Sequence, residues 1–91
     1  MALTQGMNVA VVRASMKKLE SLAGSLDSIK NQVNSEMATI SANWAGLDAQ
    51  KFINGDWGYY KGQMDLLVTA LRQLSITGQR QANDQEAISK V

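Results

Sequence analysis

Cysteine and histidine are both absent from this chain of 91 residues, and these two absences exclude many kinds of chemical site. Without cysteine there is no disulfide, no thiolate nucleophile and no cysteine-ligated zinc or iron–sulfur centre. Without histidine the chain lacks the commonest general base and the commonest metal ligand. The eight acidic residues are scattered, and no two of them are adjacent. We therefore predict a protein that is not an enzyme and that binds no cofactor or metal.

The charge of the chain is nearly balanced, with nine basic and eight acidic residues. Binding to nucleic acid would require a clustered basic face, so we predict no nucleic-acid partner and no small-molecule ligand. The densest basic group is Arg13, Lys17 and Lys18, which we interpret as a solvated helix face. No apolar run approaches the ~18 residues of a membrane span. The short apolar stretch 7–12 precedes its charges, the reverse of a secretory signal, so we expect any export to proceed without a cleaved signal peptide.

Proline is also absent, which favours long helices, and residues 8–40 carry a helical period. One row recurs every seven residues: Val12, Leu19, Leu26, Val33 and Ile40. Leu22 and Ile29 form an adjacent row, which Ser15 and Glu36 interrupt. The resulting apolar stripe is about three positions wide in every seven, which suits a helix bundle better than a narrow coiled-coil seam.

The helical pattern stops between Asn43 and Gly46, near the middle of the chain. Gly46 can adopt the positive φ that a tight reversal requires. Asp48 follows directly, where a carboxylate meets the free amides and positive dipole of a new first turn. The segment Trp44-Ala45-Gly46 is therefore predicted to form the corner of a hairpin.

The second half has a heptad pattern of its own, read from Ile53 onward. Three rows can be traced, and they are Ile53, Tyr60, Leu67 and Leu74; Trp57, Met64 and Leu71; and Phe52, Tyr59 and Leu66. Asn54-Gly55-Asp56 resembles a turn, but the heptad continues through it, so we predict one continuous helix. After Leu74 the row loses its apolar character, which indicates fraying beyond about Gly78.

These patterns predict a single all-α domain over residues 1–91. Helix 1 is expected at about 8–41, a turn at 42–47, helix 2 at about 48–80 and a mobile tail to 91. A lone hairpin would leave much of its apolar stripe in water, so we expect two hairpins to pair as a four-helix bundle. The expected partner interface comprises Leu19, Leu26, Val33, Phe52, Trp57, Tyr59 and Leu66. A homodimer is favoured because each helix has a complete stripe, and a heterodimer with a sister chain is the alternative.

The chain resembles the WXG family of small secreted proteins, the early-secreted-antigen-like substrates of Gram-positive type VII secretion. The resemblance covers nearly the whole chain and is carried by Trp44, Ala45 and Gly46 at the corner, with Phe52 and Trp57 downstream. It implies a dimeric helical hairpin that is made in the cytoplasm, exported folded and recognised by a membrane ATPase complex. A tail motif of that family, Tyr followed four residues later by Asp or Glu, is missing here.

Two functions remain open at this point. The first is a secreted dimeric substrate that acts as an effector, in the manner of a virulence factor, or as an export adaptor. The alternative is an intracellular helical adaptor or assembly subunit without a role in export. Trp44 has two interpretations as well, since it could fill the space where the helices diverge or be read by the export machinery.

Overall fold

The computed structural model describes residues 6–89 as two long antiparallel helical arms. The first arm is helix α1, Val9–Asn43. The second arm contains the short helix α2, Leu47–Gln50, a π-helical segment at Lys51–Asp56, and helix α3, Trp57–Ser89. No strand occurs within the described residues. The predicted all-helical hairpin is thus confirmed.

The hairpin is a rod measuring 67 × 21 × 16 Å, with a radius of gyration of 19.9 Å. A compact domain of this length would have a radius of gyration of about 12 Å. Contacts between the arms fix their antiparallel register, because Arg13 pairs with Glu86 near the termini and Lys30 pairs with Asp65 near the middle. Two arms of this length can therefore cover only the faces that they turn toward each other.

Helix α1 begins at a capping side chain and ends where the backbone becomes extended. Asn8 caps its N-terminus, where Oδ1 accepts a hydrogen bond from the Val11 amide at 3.3 Å. Trp44 follows α1 in an extended conformation, with φ of −142° and ψ of 119°. Gly46 then reverses the chain with φ of 112° and ψ of 179°, a region that is essentially restricted to glycine. The predicted positive φ of Gly46 and the acidic first turn at Asp48 are both present.

The second arm is continuous through Asn54-Gly55-Asp56, but this stretch lies in a π-helical segment, Lys51–Asp56. The Trp57 amide donates to the carbonyl of Phe52, five residues earlier. A π turn contains about one more residue than an α turn, so a step of seven across it does not return to the same face. The predicted row from Ile53 to Tyr60 is wrong for this reason, since Ile53 is half-buried and Tyr60 is exposed.

Small residues dominate the core, and they allow the two arms to approach closely. The buried residues of the described chain are Ala23, Ala49, Val68, Ser75 and Ala82. Ser75 Oγ donates to the Met16 carbonyl at 2.8 Å, which joins the arms at one level. Nearby, a Cβ on Gly78 would overlap Sδ of Met16 and lie 2.7 Å from its Cγ. Gly78 therefore accommodates the methionine that faces it.

The expectation of a fraying second helix and a tail from about residue 80 is corrected, since α3 continues to Ser89. Ala82 is fully buried. Arg13 reaches across from α1 to the carboxylate of Glu86 and to Oδ1 of Asn83. The contacts that hold this end are therefore small and polar, and they do not resemble a leucine row in the sequence. Lys90 and Val91 lie outside the described residues.

Candidate functional site

Trp44 at the corner is partly exposed and also packs against another aromatic ring. Trp44 is 44% exposed, and its ring lies 5.6 Å from that of Phe52 at an interplanar angle of 49°. The Gln50 amide donates to the Gly46 carbonyl at 3.1 Å and closes the first turn of α2. Ala45 is exposed beside them. The arrangement supports both interpretations of Trp44, because one ring face packs while other edges remain accessible.

Four of the seven predicted interface residues line the seam between the chain's own helices. Leu19, Leu26 and Val33 are half-buried on α1, and Trp57 is half-buried on α3. The Trp57 indole Nε1–H donates to Oδ1 of Asn34 at 3.1 Å, which ties this side chain to the opposite arm. These four residues therefore stabilise the hairpin itself.

The other three predicted interface residues are exposed, but they do not share a single line. Tyr59 and Leu66 are 63% and 65% exposed on the outer side of α3. Phe52 lies within the π-helical segment, where its carbonyl accepts the π-turn hydrogen bond, and its ring packs on Trp44 at the corner. The π turn thus separates a row that the sequence suggested was continuous.

One flank of the seam is charged and holds the ion pairs between the arms. Lys30 Nζ lies 2.9 Å from the Asp27 carboxylate and 2.5 Å from that of Asp65, and the Lys30 side chain is only 13% exposed. Its hydrogen bond to Asp65, with a further one to Asp27, raises the pKa of Lys30. The hydrogen bond from Lys30 lowers the pKa of Asp27. Together with Arg13 and Glu86, this flank sets the register of the hairpin.

The opposite flank is apolar. Its central residues, named here the aliphatic quartet, are 50–58% exposed and consist of Leu22, Ile29, Leu67 and Leu74. In the sequence, each quartet residue comes immediately before a residue that is buried or half-buried in the seam. Four residues after such a seam residue come the ion-pairing residues, which are Arg13, Asp27, Asp65 and Glu86. On a helix of 3.6 residues per turn these two offsets point to opposite sides of the seam. The hairpin is therefore two-sided, with charges on one flank and aliphatic side chains on the other.

A groove opens on the charged flank where the arms approach the corner. It has a volume of about 410 Å³, and Met37, Ile53, Asn54, Trp57 and Lys61 are among its lining residues. A second cavity of about 240 Å³ continues it to Trp44 and Gly46. The residues shared by the two cavities are Ser41, Ile53 and Asn54. The two cavities are thus contiguous along the last turns of α1.

Sequence reasoning missed that Leu67 and Leu74 face outward. A signal was present in the first helix, where the row of Leu22 and Ile29 is bounded by Ser15 and Glu36, as expected of a partly solvated row. It also missed the groove, because Gly58 and Lys61 resemble ordinary positions of a helix. Their common property is that they border a gap between helices, which no spacing rule along one helix reveals.

Comparison with protein-family models, with curated proteins and with solved structures found no match to this chain. Within residues 6–89, no helix is long and apolar enough to cross a membrane. The same residues contain no group of three or more acidic side chains arranged to hold a metal ion.

Proposed function

We propose that this chain is a dimeric substrate of a Gram-positive type VII secretion system, and that it acts by protein–protein interaction as an effector or export adaptor. The observation that carries the proposal is the combination of a Trp44-Ala45-Gly46 corner with an aliphatic flank that the hairpin leaves exposed. A membrane ATPase complex is the proposed recognition partner during export. The protein would leave the cell folded, without a cleaved signal peptide and without catalytic activity.

The aliphatic quartet supports pairing with a second copy because of its place along the rod. Leu22 and Ile29 lie on either side of the midpoint of α1, and Leu67 and Leu74 lie at the same level of the second arm. A two-fold axis through the middle of this flank would pack the aliphatic quartet of one copy against the same quartet of the other copy, as an isologous interface requires. Two hairpins joined in this way form a four-helix bundle.

The energy available from this contact is moderate. Full burial of a leucine-sized side chain contributes about 1.5–3 kcal/mol, and about half of that is still to be gained by a half-exposed one. Eight such side chains would contribute roughly 6–12 kcal/mol, against an association cost of about 4–15 kcal/mol. Tyr60, which is exposed at the edge of this flank, would have to contribute as well. We therefore expect a dimer whose affinity is sensitive to a single charged substitution.

The dimer is tested with a pair of matched substitutions on α3. Leu67→Asp places a charge in the proposed interface, whereas Gln73→Asp places the same charge on the exposed back of the same helix. Light scattering should show a dimer for the unmodified chain and for Gln73→Asp, and a helical monomer for Leu67→Asp. A monomer in all three cases would contradict self-pairing and favour a sister chain.

Export is tested in the bacterium that encodes the protein, by comparing culture medium from the wild type with medium from a strain that lacks the secretion ATPase. The protein should appear outside the cell only in the wild type, while a cytoplasmic marker stays inside in both. Trp44→Ala should lower export and leave the dimer intact, because the Trp44 ring packs on Phe52 at the corner and the aliphatic quartet lies near the middle of the rod. Equal extracellular amounts in both strains would contradict the proposal and favour an intracellular adaptor.

A further inference from the structure

The corner groove, which is formed by the two contiguous cavities, has the features of a binding site on the surface of the hairpin. Its lining includes the apolar side chains of Met37, Ile53 and Trp57, and it also includes polar groups such as the amide of Asn54 and the ammonium group of Lys61. Sites for organic ligands combine these two properties, an apolar surface for affinity and a few polar groups for orientation. The proposed dimer would leave the groove open, because the groove lies on the charged flank and the aliphatic quartet lies on the other.

Gly58 leaves open space where it lines the groove, although Gly24 and Gly62 leave the same open space and line neither cavity. A glycine within a helix is less favourable than alanine by about 0.8–1 kcal/mol. A Cβ at Gly58 would meet nothing within 4 Å, so no neighbour in this chain requires a glycine there. Gly78 is the contrast, since Met16 occupies the space that its side chain would take. At Gly58 the corresponding space belongs to the groove.

The positive charge that lines the groove favours a ligand with a carboxylate. Lys61 is the only charged residue among those that line the two contiguous cavities, and neither cavity is lined by a carboxylate. Within residues 6–89, Lys61 takes part in none of the ion pairs, which involve Arg13 and Lys30 instead. A carboxylate would therefore be attracted to the Lys61 end and would meet no like charge along the lining.

The length of the groove suits a short extended peptide. From Asn34 to the level of Trp44 the groove follows ten residues of α1, which is about 15 Å at 1.5 Å per residue. An extended peptide of four or five residues spans that length at about 3.3 Å per residue.

We propose that the corner groove binds a short extended peptide of a partner protein, with an acidic side chain at Lys61 and apolar side chains over Trp57 and toward Trp44. The π segment belongs to the same site, because it carries Ile53 and Asn54 into the stretch that the two cavities share. π turns occur frequently at functional sites. This inference does not rest on dimerisation or on export, since every residue it uses belongs to one chain.

The test is an NMR titration of the isotope-labelled full chain with the probe peptide acetyl-Leu-Ser-Leu-Ser-Glu-amide. The control peptides have the same sequence but end in Gln or in Lys. We expect shifts of the Trp57 and Trp44 indole signals and of backbone amides from 53 to 61, with the Glu-ended peptide binding several-fold more tightly than the Gln-ended one. Lys61→Gln should reduce the affinity for the Glu-ended peptide about five-fold, the value of one partly exposed ion pair, and should remove the preference between the two.

Two glycine variants make the test specific to the groove. Gly58→Leu fills the groove and should lower the affinity more than ten-fold. Gly62→Leu makes the same change one turn later, outside the lining and equally free of neighbours, and should leave binding unchanged. Thermal melts of both variants verify that each is folded. Equal binding of all three peptides, unchanged binding by Gly58→Leu, or no binding to the unmodified chain would each overturn the proposal.

Discussion

The close approach of the two arms at Gly78 can be measured by adding a single methyl group. Replacing glycine by alanine within a helix normally gains about 0.8–1 kcal/mol. At Gly78 the new Cβ would overlap Sδ of Met16, and overpacking of this kind costs about 1–3 kcal/mol. Met16 is flexible, so the lower end of that range applies. We therefore expect Gly78→Ala to be neutral or destabilising by up to about 1 kcal/mol.

Gly62→Ala is the matched control, because Gly62 lies on the same helix and a Cβ there would meet nothing within 4 Å. It should stabilise the protein by about 0.8–1 kcal/mol, so the two variants should differ by about 1–2 kcal/mol. Urea unfolding at one fixed protein concentration measures this difference, since the proposed dimer would make apparent stability depend on concentration. In a double-mutant cycle, Met16→Ala should remove the penalty at Gly78. If Gly78→Ala stabilises the protein as much as Gly62→Ala does, the two arms are not closely packed where Gly78 faces Met16.

Three further predictions concern single features of the hairpin. Gly46→Ala should destabilise the protein by about 1–3 kcal/mol through backbone strain alone, since a Cβ there meets no neighbour. Gly24→Ala in α1 should stabilise the protein instead. Equal melting temperatures of the two variants would contradict a backbone at the corner that only glycine adopts. Ser75→Ala should cost about 1 kcal/mol in urea unfolding, because the buried Oγ donates to a carbonyl of α1, and a neutral result would mean that this bond contributes nothing net. Stability should be greatest near neutral pH, because the stabilisation from Asp27 is lost as pH falls below about 4 and through its lowered pKa. The stabilisation from Lys30 is lost as pH rises above about 10.4 and through its raised pKa. When the urea midpoint is measured against pH, Lys30→Gln should flatten both the acid and the alkaline limb of the profile.

The hairpin itself could be predicted from the sequence because its evidence is periodic. Heptad rows such as that of Leu19 and Leu26 establish two helices, and the gap at Gly46 locates the reversal. The row that faces inward could not be chosen, because Leu67 and Leu74 are as apolar as Met64 and the other seam residues. That choice depends on where the arms can approach, and small residues determine it.

The wrong predictions near the C-terminal end and at the corner have the same physical origin. Gly78 and Ala82 resemble the loss of an apolar seam, although Gly78 packs against Met16 of the other arm and Ala82 is fully buried. Asn54-Gly55 indicates a local weakness of the helix, but propensity does not distinguish a break from a π turn. The rotation that the π turn introduces separates Phe52 from Tyr59, and spacing along one chain assumes that no such rotation occurs.

The rod shape of the hairpin also affects how its assembly must be measured. A particle 67 Å long and 21 Å wide experiences more friction than a sphere of the same mass. A single copy would therefore leave a size-exclusion column early, where a compact protein of greater mass is expected. Two copies joined along the aliphatic flank would add mainly to the width, so elution volume would change less than mass. Scattered light, which responds to mass and not to drag, separates the two states.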